Sequence, residues 1–206
     1  FRSSGVCRGS SGDSGDVVME GWHKWPLGEL LTVQSGFAFS SKLFDPETGV
    51  PLIRIRDLNP GTSTETKFTG DFDEKYLVAA GDLLIGMDGE FRCHEWNGPS
   101  ALLNQRVCRL EEFSESLLPR FLYYGINKYL KEIEDVTGFT TVKHLSAKKV
   151  KSIDCPLPPL IEQERIVAIL DEAFAVLATA TANAVKNVEN ARELFKSQLE
   201  RAFSGR

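Results

Sequence analysis

The amino-acid sequence predicts an α+β protein, in which a globular mixed-sheet domain is followed by a long, coiled-coil-like C-terminal helix. The first indication is a set of short apolar runs separated by tight-turn signals such as Asp88-Gly89, which is typical of paired strands. The second is the proline-rich segment CPLPPL at residues 155–160, which cannot continue a helix. The third is a helical apolar periodicity from Glu162 to about Phe203. A small body joined by a rigid strap to a long helix suits the holding of partners at a set distance.

Length and composition indicate one medium domain with an extension. The 206 residues are 42% apolar, which is enough for a packed core. No run of about 18 apolar residues is present, so the sequence predicts no membrane span. Residues 1–20 are rich in serine and glycine and are expected to form a flexible tail. They lack the apolar segment that a cleavable signal peptide requires.

Charge and cysteine content limit the cellular compartment and the class of partner that the sequence predicts. The four cysteines are widely scattered, and none lies in a CxxC pair or a Cys/His cluster with zinc-ligand spacing. We therefore expect buried free thiols, no bound metal and a reducing, cytoplasmic location. The net charge of −5 argues against a broad basic surface for nonspecific nucleic-acid binding, but it allows one locally basic face.

The globular domain, predicted over residues 21–155, begins with short elements. Residues 28–33 are expected to form a helix or turn, residues 35–39 a strand or buried loop, and residues 45–49 a turn. Residues 61–75 are polar and are expected to form a loop.

A strand is predicted at residues 50–58, where apolar and basic side chains alternate. Ile53 and Ile55 would lie on one face, and Arg54 and Arg56 on the other. Two steps of the pleat would separate the two arginines by about 6.8 Å. Such a pair could contact neighbouring groups of one ligand.

The second half of the domain combines strands with one helix. Strands are predicted at residues 83–85, 91–96 and 104–110. A helix is predicted from Pro119, because proline favours the first helical turn and apolar side chains then recur on one face. Ser146 is expected to cap a short basic turn that leads into a last strand near Cys155.

Residues 156–206 are predicted to form a proline strap and a long helix that serves as spacer, dimerisation and docking region. About 40 residues would extend for roughly 60 Å, which a domain of this size cannot cover. The apolar stripe slips by one position after Ala184, as in a coiled-coil stutter. Much of the stripe therefore needs a partner, although a helix folded back on its own domain stays an alternative. The predicted partner-facing residues are Ile166, Leu170, Ala173, Leu177, Ala184, Val188, Phe195 and Leu199.

Motifs for catalysis are not found in the sequence. It has no glycine-rich phosphate loop, no GxSxG elbow and no HExxH site, so we expect neither a catalytic residue nor a cofactor in this chain. One enzymatic alternative is a Mg²⁺-dependent nuclease, in which Asp57 and Glu65 would hold the metal and Lys67 would orient a water. A coiled-coil scaffold without nucleic-acid binding is a second alternative.

The remaining polar side chains suit a DNA-reading surface. Asn104, Gln105 and Arg106 are consecutive residues of the types that pair with adenine or guanine edges. Lysines and threonines further along the chain suit phosphate contact. The expected DNA-binding residues are Arg54, Arg56, Arg92, His94, Asn104, Gln105, Arg106, Thr140, Thr141, Lys143, Lys148 and Lys149, with His144 in the same loop as Lys143.

Three parts of the sequence together resemble the specificity subunits of type I restriction–modification systems. They are GVPLIRIRDL at residues 49–58, GDLLIGMDG with LNQRV at 81–89 and 103–107, and PLPPLIEQERIV at 156–167. The last is the most specific, and the resemblance spans about residues 22–203. It implies a target-recognition domain that reads one half of a bipartite DNA site. It also implies that the helix acts as a spacer and as a docking surface for methyltransferase subunits.

The resemblance further implies that the chemistry takes place on partner subunits. S-adenosylmethionine, Mg²⁺ and ATP are expected only on the methyltransferase and restriction subunits, and the methyltransferase flips out the target adenine. Family members usually carry two recognition domains in tandem, whereas this sequence shows one and no internal repeat. The chain is therefore either a half-length subunit, expected to form a homodimer through its helix, or a fragment of a longer one.

Overall fold

The computed structural model describes residues 22–59, 62–136 and 143–204. Within these ranges the chain forms eleven strands and four α-helices, joined by short 3-10 turns. The strands are β1 (His23–Pro26), β2 (Thr32–Ser35), β3 (Phe44–Asp45), β4 (Val50–Ile53), β5 (Lys67–Phe68), β6 (Leu77–Val78), β7 (Leu83–Gly86), β8 (Cys93–Glu95), β9 (Ala101–Leu103), β10 (Val107–Glu111) and β11 (Asp154–Leu157). The helices are α1 (Leu27–Leu30), α2 (Pro119–Val136), α3 (Ala147–Lys151) and α4 (Leu160–Ser204).

The strands form three sheets. β1 and β11 make a two-stranded antiparallel pair, and a four-stranded antiparallel sheet has the order β2-β10-β7-β8. A five-stranded sheet has the order β3-β5-β4-β9-β6, in which the pair β4–β9 is parallel and the other pairs are antiparallel. The predicted α+β class with a mixed sheet and a long C-terminal helix is confirmed.

The larger core lies between the four-stranded sheet and α2. This helix begins at Pro119, as predicted, and buries Leu122, Ile126 and Leu130 at spacings of four residues. That spacing places them on one face, where they pack against strand residues such as Ile85. The helical periodicity was therefore sufficient to identify the buried face of α2.

A second core lies between the four-stranded and five-stranded sheets. Leu84 faces it from β7, because successive residues of a strand point to opposite sides of the sheet. Ile53, Leu103 and Trp96 pack in the same cluster, and all are fully buried. The indole N–H of Trp96 donates to the Pro99 carbonyl at 2.8 Å, so the buried ring keeps its hydrogen bond.

The strand predicted around the two arginines is shorter than expected, and the prediction of a shared basic strand face is wrong. β4 ends at Ile53, and Ile55–Asp57 forms a 3-10 turn. The Asp57 carboxylate accepts a hydrogen bond from the backbone N–H of Arg54 at 2.9 Å, which stabilises the turn. This local bond ends the strand, so Arg54 and Arg56 do not alternate with the apolar residues of a sheet.

The strand predicted at residues 104–110 is wrong at its first residues. β9 ends at Leu103 in the five-stranded sheet, and β10 begins at Val107 in the four-stranded sheet. The three residues between them form a connection. Gly36 approaches this connection so closely that a Cβ there would lie 2.2 Å from the Asn104 carbonyl oxygen. The chain therefore bends from one sheet to the other where a continuous strand was expected.

Other local signals match the structure. The turn after Asp45 is closed by its carboxylate, which accepts from the N–H groups of Glu47 and Thr48 at 2.7 Å. Ser146 caps α3 by accepting from the Lys149 N–H at 3.3 Å.

Two predicted bounds are displaced. β11 covers residues 154–157, so Pro156 of the strap lies opposite Lys24 of β1. The first part of the strap thus belongs to the two-stranded sheet, where a proline is tolerated because no further strand among the described residues pairs with β11. The loop expected at residues 61–75 also contains β5 and a 3-10 turn.

The described cysteines are buried free thiols, as expected. Burial raises the pKa of Cys155 to about 11, that of Cys108 to about 12, and that of Cys93 well above its ordinary value. All three therefore stay protonated at neutral pH, which makes them unreactive. Cys7 lies outside the described residues.

α4 is one continuous helix of 45 residues, about 67 Å long. Ile166 and Leu170, near its start, are half-buried against the domain, whereas every residue from Glu172 to Ser204 is exposed. The alternative of a helix folded back along its own domain is therefore wrong.

By length and composition alone, α4 is also the one helix among the described residues that could cross a membrane. The apolar part contains Asp171 and Glu172, and Asp171 pairs with Arg120 of α2 at 3.0 Å. This ion pair holds the start of the segment on the domain. Beyond this pair, apolar side chains of α4 such as Leu177 are exposed to solvent.

Candidate nucleic-acid interface

The centre of the candidate interface is the turn at Asp88 and Gly89, which follows β7. Backbone bonds hold the turn on two sides: the Met87 N–H donates to the Arg106 carbonyl at 2.9 Å, and the Leu145 N–H donates to the Met87 carbonyl at 2.7 Å. Gly89 has a φ of 78°, which favours glycine. The turn is therefore fixed between the β9–β10 connection and the segment that precedes α3.

The Asp88 carboxylate joins two basic side chains that are distant in sequence. One oxygen accepts from Arg106 Nη1 at 2.9 Å, and the other bonds His144 Nδ1 at 2.8 Å. These partners lie 18 and 56 residues away. The Asp88 side chain is 21% exposed, and the other two are 54% and 55% exposed. We call these three residues the Asp88 cluster; its carboxylate is sheltered and its two basic groups face solvent.

A shallow pocket of about 210 Å³ adjoins the Asp88 cluster, and Asp88 itself forms part of its wall. Arg56, Arg92 and His94 line the pocket together with Glu90. Burial lowers the pKa of His94 below its ordinary value, and the neighbouring Arg92 lowers it further. His94 is therefore largely neutral at neutral pH and can both donate and accept hydrogen bonds. Three of the predicted DNA-binding residues thus come together beside a fourth, Arg106.

Two other predicted residues are partly withdrawn into the protein. The Arg54 side chain is 26% exposed, and its Nε lies 3.9 Å from Asp57 Oδ2. Asn104 is half-buried, whereas its neighbours Gln105 and Arg106 are exposed. Within the β9–β10 connection, the latter two side chains are the ones presented to solvent.

Lys143 is partly exposed and is held in an ion pair. Its Nζ donates to Glu134 Oε1 at 3.1 Å, while the other carboxylate oxygen accepts from the Phe91 N–H at 3.2 Å. This lysine is the main cause that lowers the pKa of the Glu134 carboxyl. The ion pair fixes the segment that carries His144 to the end of α2, so Lys143 supports the Asp88 cluster from behind.

Lys148 and Lys149 are exposed on α3. Lys149 lines a separate hollow with Ile133 and Asp154, and that hollow shares no lining residue with the pocket beside Asp88. The structure therefore does not bring these lysines into the same pocket as the arginines. Thr140 and Thr141 lie outside the described residues, and their DNA contacts stay a prediction.

Gln163 connects the start of α4 to the domain. Its side chain is fully buried, and its Nε2 donates to the carbonyls of Ser116 at 2.8 Å and Pro158 at 2.9 Å. Its Oε1 accepts from the Leu118 N–H at 2.9 Å. A single amide thus satisfies three backbone groups where the strap, α4 and the approach to α2 meet. The sequence motif that contains Gln163 did not predict this role.

Arg120 of α2 forms the second connection to α4. Its Nε and Nη2 donate to Asp171 at 3.1 and 3.0 Å, and its Nη1 donates to Glu95 of β8 at 2.6 Å. Tyr124 also donates to Asp171 through its hydroxyl. Its ring stacks on that of Phe174, with the two ring centroids 5.4 Å apart. The Tyr124 hydroxyl and the Arg120 guanidinium together lower the pKa of Asp171. We call these five residues the helix joint; through Glu95 it links α4 to the strand that carries His94.

Beyond the helix joint, the predicted partner-facing stripe is open to solvent. Leu177 is 58% exposed and Phe195 is 68% exposed. An apolar stripe of this length on one chain is a surface that a partner helix could cover. The stripe residues exposed here are Ala173, Leu177, Ala184, Val188, Phe195 and Leu199.

The residues of the nuclease alternative make other contacts. The Asp57 carboxylate accepts from the Thr64 hydroxyl at 3.0 Å, and Lys67 Nζ donates to the Glu47 carbonyl at 2.7 Å. Glu65 is exposed between them. Among the described residues, no group of three or more His, Cys, Asp or Glu side chains is arranged to hold a metal ion.

Comparison with known proteins adds independent information on this architecture. The family model for the type I restriction modification DNA specificity domain matches residues 19–189. The EcoBI specificity subunit of a type I restriction enzyme from Escherichia coli is 36% identical over 190 residues, which are 92% of this chain and 40% of that protein. The MjaVIII specificity subunit from Methanocaldococcus jannaschii is 22% identical over 188 residues, which are 91% of this chain and 43% of that protein. The chain thus spans less than half the length of these relatives.

Solved structures share the same fold. A chain from a structure of the assembly and conformational transition of the type I R-M system superimposes with a TM-score of 0.73 at 24% identity, covering 92% of this chain and 47% of that one. The HsdS subunit from Thermoanaerobacter tengcongensis gives a TM-score of 0.63 at 23% identity, covering 81% of this chain and 41% of that one. At such identities the similarity shows a common fold.

Proposed function

We propose a function from one premise: the chain belongs to the family of type I restriction–modification DNA specificity domains. In this proposal the globular domain reads one half of a bipartite DNA sequence. α4 holds separate methyltransferase subunits at a fixed distance from that sequence. The chain itself transfers no methyl group and cuts no bond.

The observation that carries the proposal is the contrast along α4. Its first turns are fixed to the domain by Gln163 and the helix joint, and from Glu172 onward it is exposed while carrying apolar side chains. A rigid helix that is anchored at one end and apolar along its free length suits docking at a defined distance. An enclosed substrate site would not require such an arm.

The surface of the domain supports the DNA-reading part. Arginine and histidine side chains face solvent in the Asp88 cluster and the adjoining pocket, although the whole chain carries a net charge of −5. Such a local group can read base edges, while much of the phosphate contact would fall to the partner subunits.

The reaction chemistry belongs to those partners in this proposal. S-adenosylmethionine would bind to the methyltransferase subunit, and ATP and Mg²⁺ would bind to the restriction subunit or the assembled complex. The complex would act in the cytoplasm, where the DNA lies. Two copies of this chain would pair through α4 if it acts as a half-length subunit, and a second recognition domain in a longer chain would otherwise supply the other half-site.

A methyl-transfer assay tests the proposal directly. The chain, the methyltransferase subunit of the same system, and both together are incubated with plasmid DNA and labelled S-adenosylmethionine. We expect sequence-restricted adenine methylation from the mixture and no transfer by the chain alone. If the chain alone cleaves the plasmid with Mg²⁺, and Glu65→Ala abolishes the cleavage, the nuclease alternative replaces this proposal.

A further inference from the structure

Backbone hydrogen bonds on two sides fix the turn that carries the Asp88 carboxylate. Its turn is bonded to the Arg106 carbonyl through Met87 N–H and to residues 143–145 through backbone bonds of Met87 and Gly89. The carboxylate therefore sits at a point that two otherwise unconnected segments determine together. Each segment contributes one basic side chain to it.

Each carboxylate oxygen fixes one donor. Oδ2 accepts from Arg106 Nη1 at 2.9 Å, and Oδ1 engages His144 Nδ1 at 2.8 Å. Because an ionised carboxylate can only accept, His144 must carry its proton on Nδ1. In the neutral imidazole this leaves Nε2 as an acceptor, and the carboxylate also sets the orientation of the ring.

Arg106 keeps most of its hydrogen-bonding capacity. Within the described residues, Asp88 accepts the one hydrogen bond of its guanidinium, and the side chain is 54% exposed. The planar group is thus held at one nitrogen while its other donors face solvent. That is the arrangement needed for a bidentate contact with O6 and N7 of guanine.

We propose that Asp88 is a positioning residue for DNA sequence readout, which orients Arg106 toward a guanine edge and fixes the ring of His144 beside it. The inference rests on the proposed function of the domain. A restrained guanidinium loses little conformational freedom on binding, so the orientation favours the correct base edge. Phosphate contact needs charge but not this geometry, so the restraint should matter for the target and not for other sequences.

The test compares Asp88→Asn with Glu115→Gln. Both changes remove one negative charge, and Glu115 is exposed on the connection between β10 and α2 and does not line the pocket beside Asp88. Wild-type chain with its methyltransferase subunit first selects duplexes from a random-sequence DNA pool. Dissociation constants are then measured for the selected duplex and a scrambled duplex across a range of salt concentrations.

We expect Asp88→Asn to lower the ratio of selected-duplex to scrambled-duplex affinity about tenfold, since one oriented base contact is worth this much. Glu115→Gln should change the two affinities by the same factor and leave the ratio unchanged. Asp88→Glu keeps the charge and both acceptor oxygens, and should restore part of the ratio. Thermal unfolding of each variant is measured to check that the domain is folded.

Several outcomes would overturn the inference. A ratio for Asp88→Asn equal to that of Glu115→Gln would show that Asp88 orients no base contact. Should Asp88→Asn not fold, a ratio for Asp88→Glu no different from that of Arg106→Ala would be equally decisive, because the retained carboxylate would then orient nothing. If the wild-type complex selects no sequence at all, the proposed function fails first, which is a different result.

Discussion

The helix joint and the Asp88 cluster are built on the same plan, yet they leave their arginines in different states. In each, an aspartate carboxylate bonds one arginine and one ring-bearing side chain, which is Tyr124 in the joint and His144 in the cluster. In the joint, Arg120 donates one hydrogen bond from each of its three guanidinium nitrogens, to Asp171 and Glu95. In the cluster, the described residues accept one hydrogen bond from Arg106, through Asp88.

This difference distinguishes an arginine that fixes structural elements from an arginine that can contact DNA. A guanidinium that is bonded at all three nitrogens fixes the elements around it, and the joint does this for α2, β8 and α4. A guanidinium that is held at one nitrogen keeps donors for a ligand, and its restraint limits the orientations that it can adopt. Variants of the two sites should therefore affect different measurements.

The largest effect is expected just beyond the helix joint, where α4 leaves the domain. Replacing Leu177 and Ala184 together with glutamate should weaken self-association roughly a hundredfold or more, because unpaired charges in an apolar interface cost several kcal/mol. The control is Ala175→Glu with Ala182→Glu, which has the same spacing on the opposite side of the helix. Analytical ultracentrifugation should show monomers for the first pair alone. An unchanged mass would remove this face from the interface.

The next largest effect is expected at Gln163. Gln163→Ala should lower the free energy of unfolding by about 2–4 kcal/mol, because it removes a buried amide and leaves three backbone groups without their partner. Chemical denaturation followed by circular dichroism measures the loss. Glu164→Ala, an exposed neighbour, should change stability by less than about 0.5 kcal/mol. Equal effects of the two variants would contradict a structural role for the buried amide.

One variant in each site tests whether the Asp88 cluster acts in DNA binding and the helix joint in stability. Arg106→Ala should weaken binding to the target duplex by about 1–3 kcal/mol and leave thermal stability unchanged. Asp171→Asn should do the reverse, lowering the melting temperature while the preference for the target is kept. Equal loss of affinity on all duplexes would show that Arg106 contacts phosphate instead.

The smallest effect is expected from the Glu134–Lys143 pair behind the cluster. The folded-state pKa of Glu134 is lowered, so this pair stabilises the fold above the ordinary glutamate pKa of 4.5 and ceases to do so as the pH falls through the folded value. Glu134→Gln should cost about 1 kcal/mol or less at neutral pH. The gap between its unfolding free energy and that of wild type should narrow in acid. The exposed Glu132→Gln variant removes a carboxylate from the same helix and serves as the control.

The sequence predicted local structure correctly where that structure depends on residues close together in the chain. The helix that starts at Pro119, the turn at Asp45 and the Ser146 cap were all predicted, because their signals are local. Alternation failed at Arg54 because Asp57, three residues on, offered a competing hydrogen bond. The α4 stripe could be predicted, but the amide of Gln163 that anchors it could not.

The candidate site was predicted less completely, because it depends on contacts between distant segments. Arg56, Arg92, His94 and Arg106 were identified from their residue types, and the fold places all four beside Asp88. Asp88 itself was recognised only as part of a turn. Its partners lie 18 and 56 residues away, and no local pattern reveals such a meeting.

Selection from a random-sequence pool of DNA duplexes, followed by sequencing, shows whether the domain reads DNA. We expect the chain with its methyltransferase subunit to enrich one defined sequence containing a target adenine, and the methyltransferase subunit alone to enrich none. Enrichment that is the same with and without this chain would contradict the claim that its domain reads DNA.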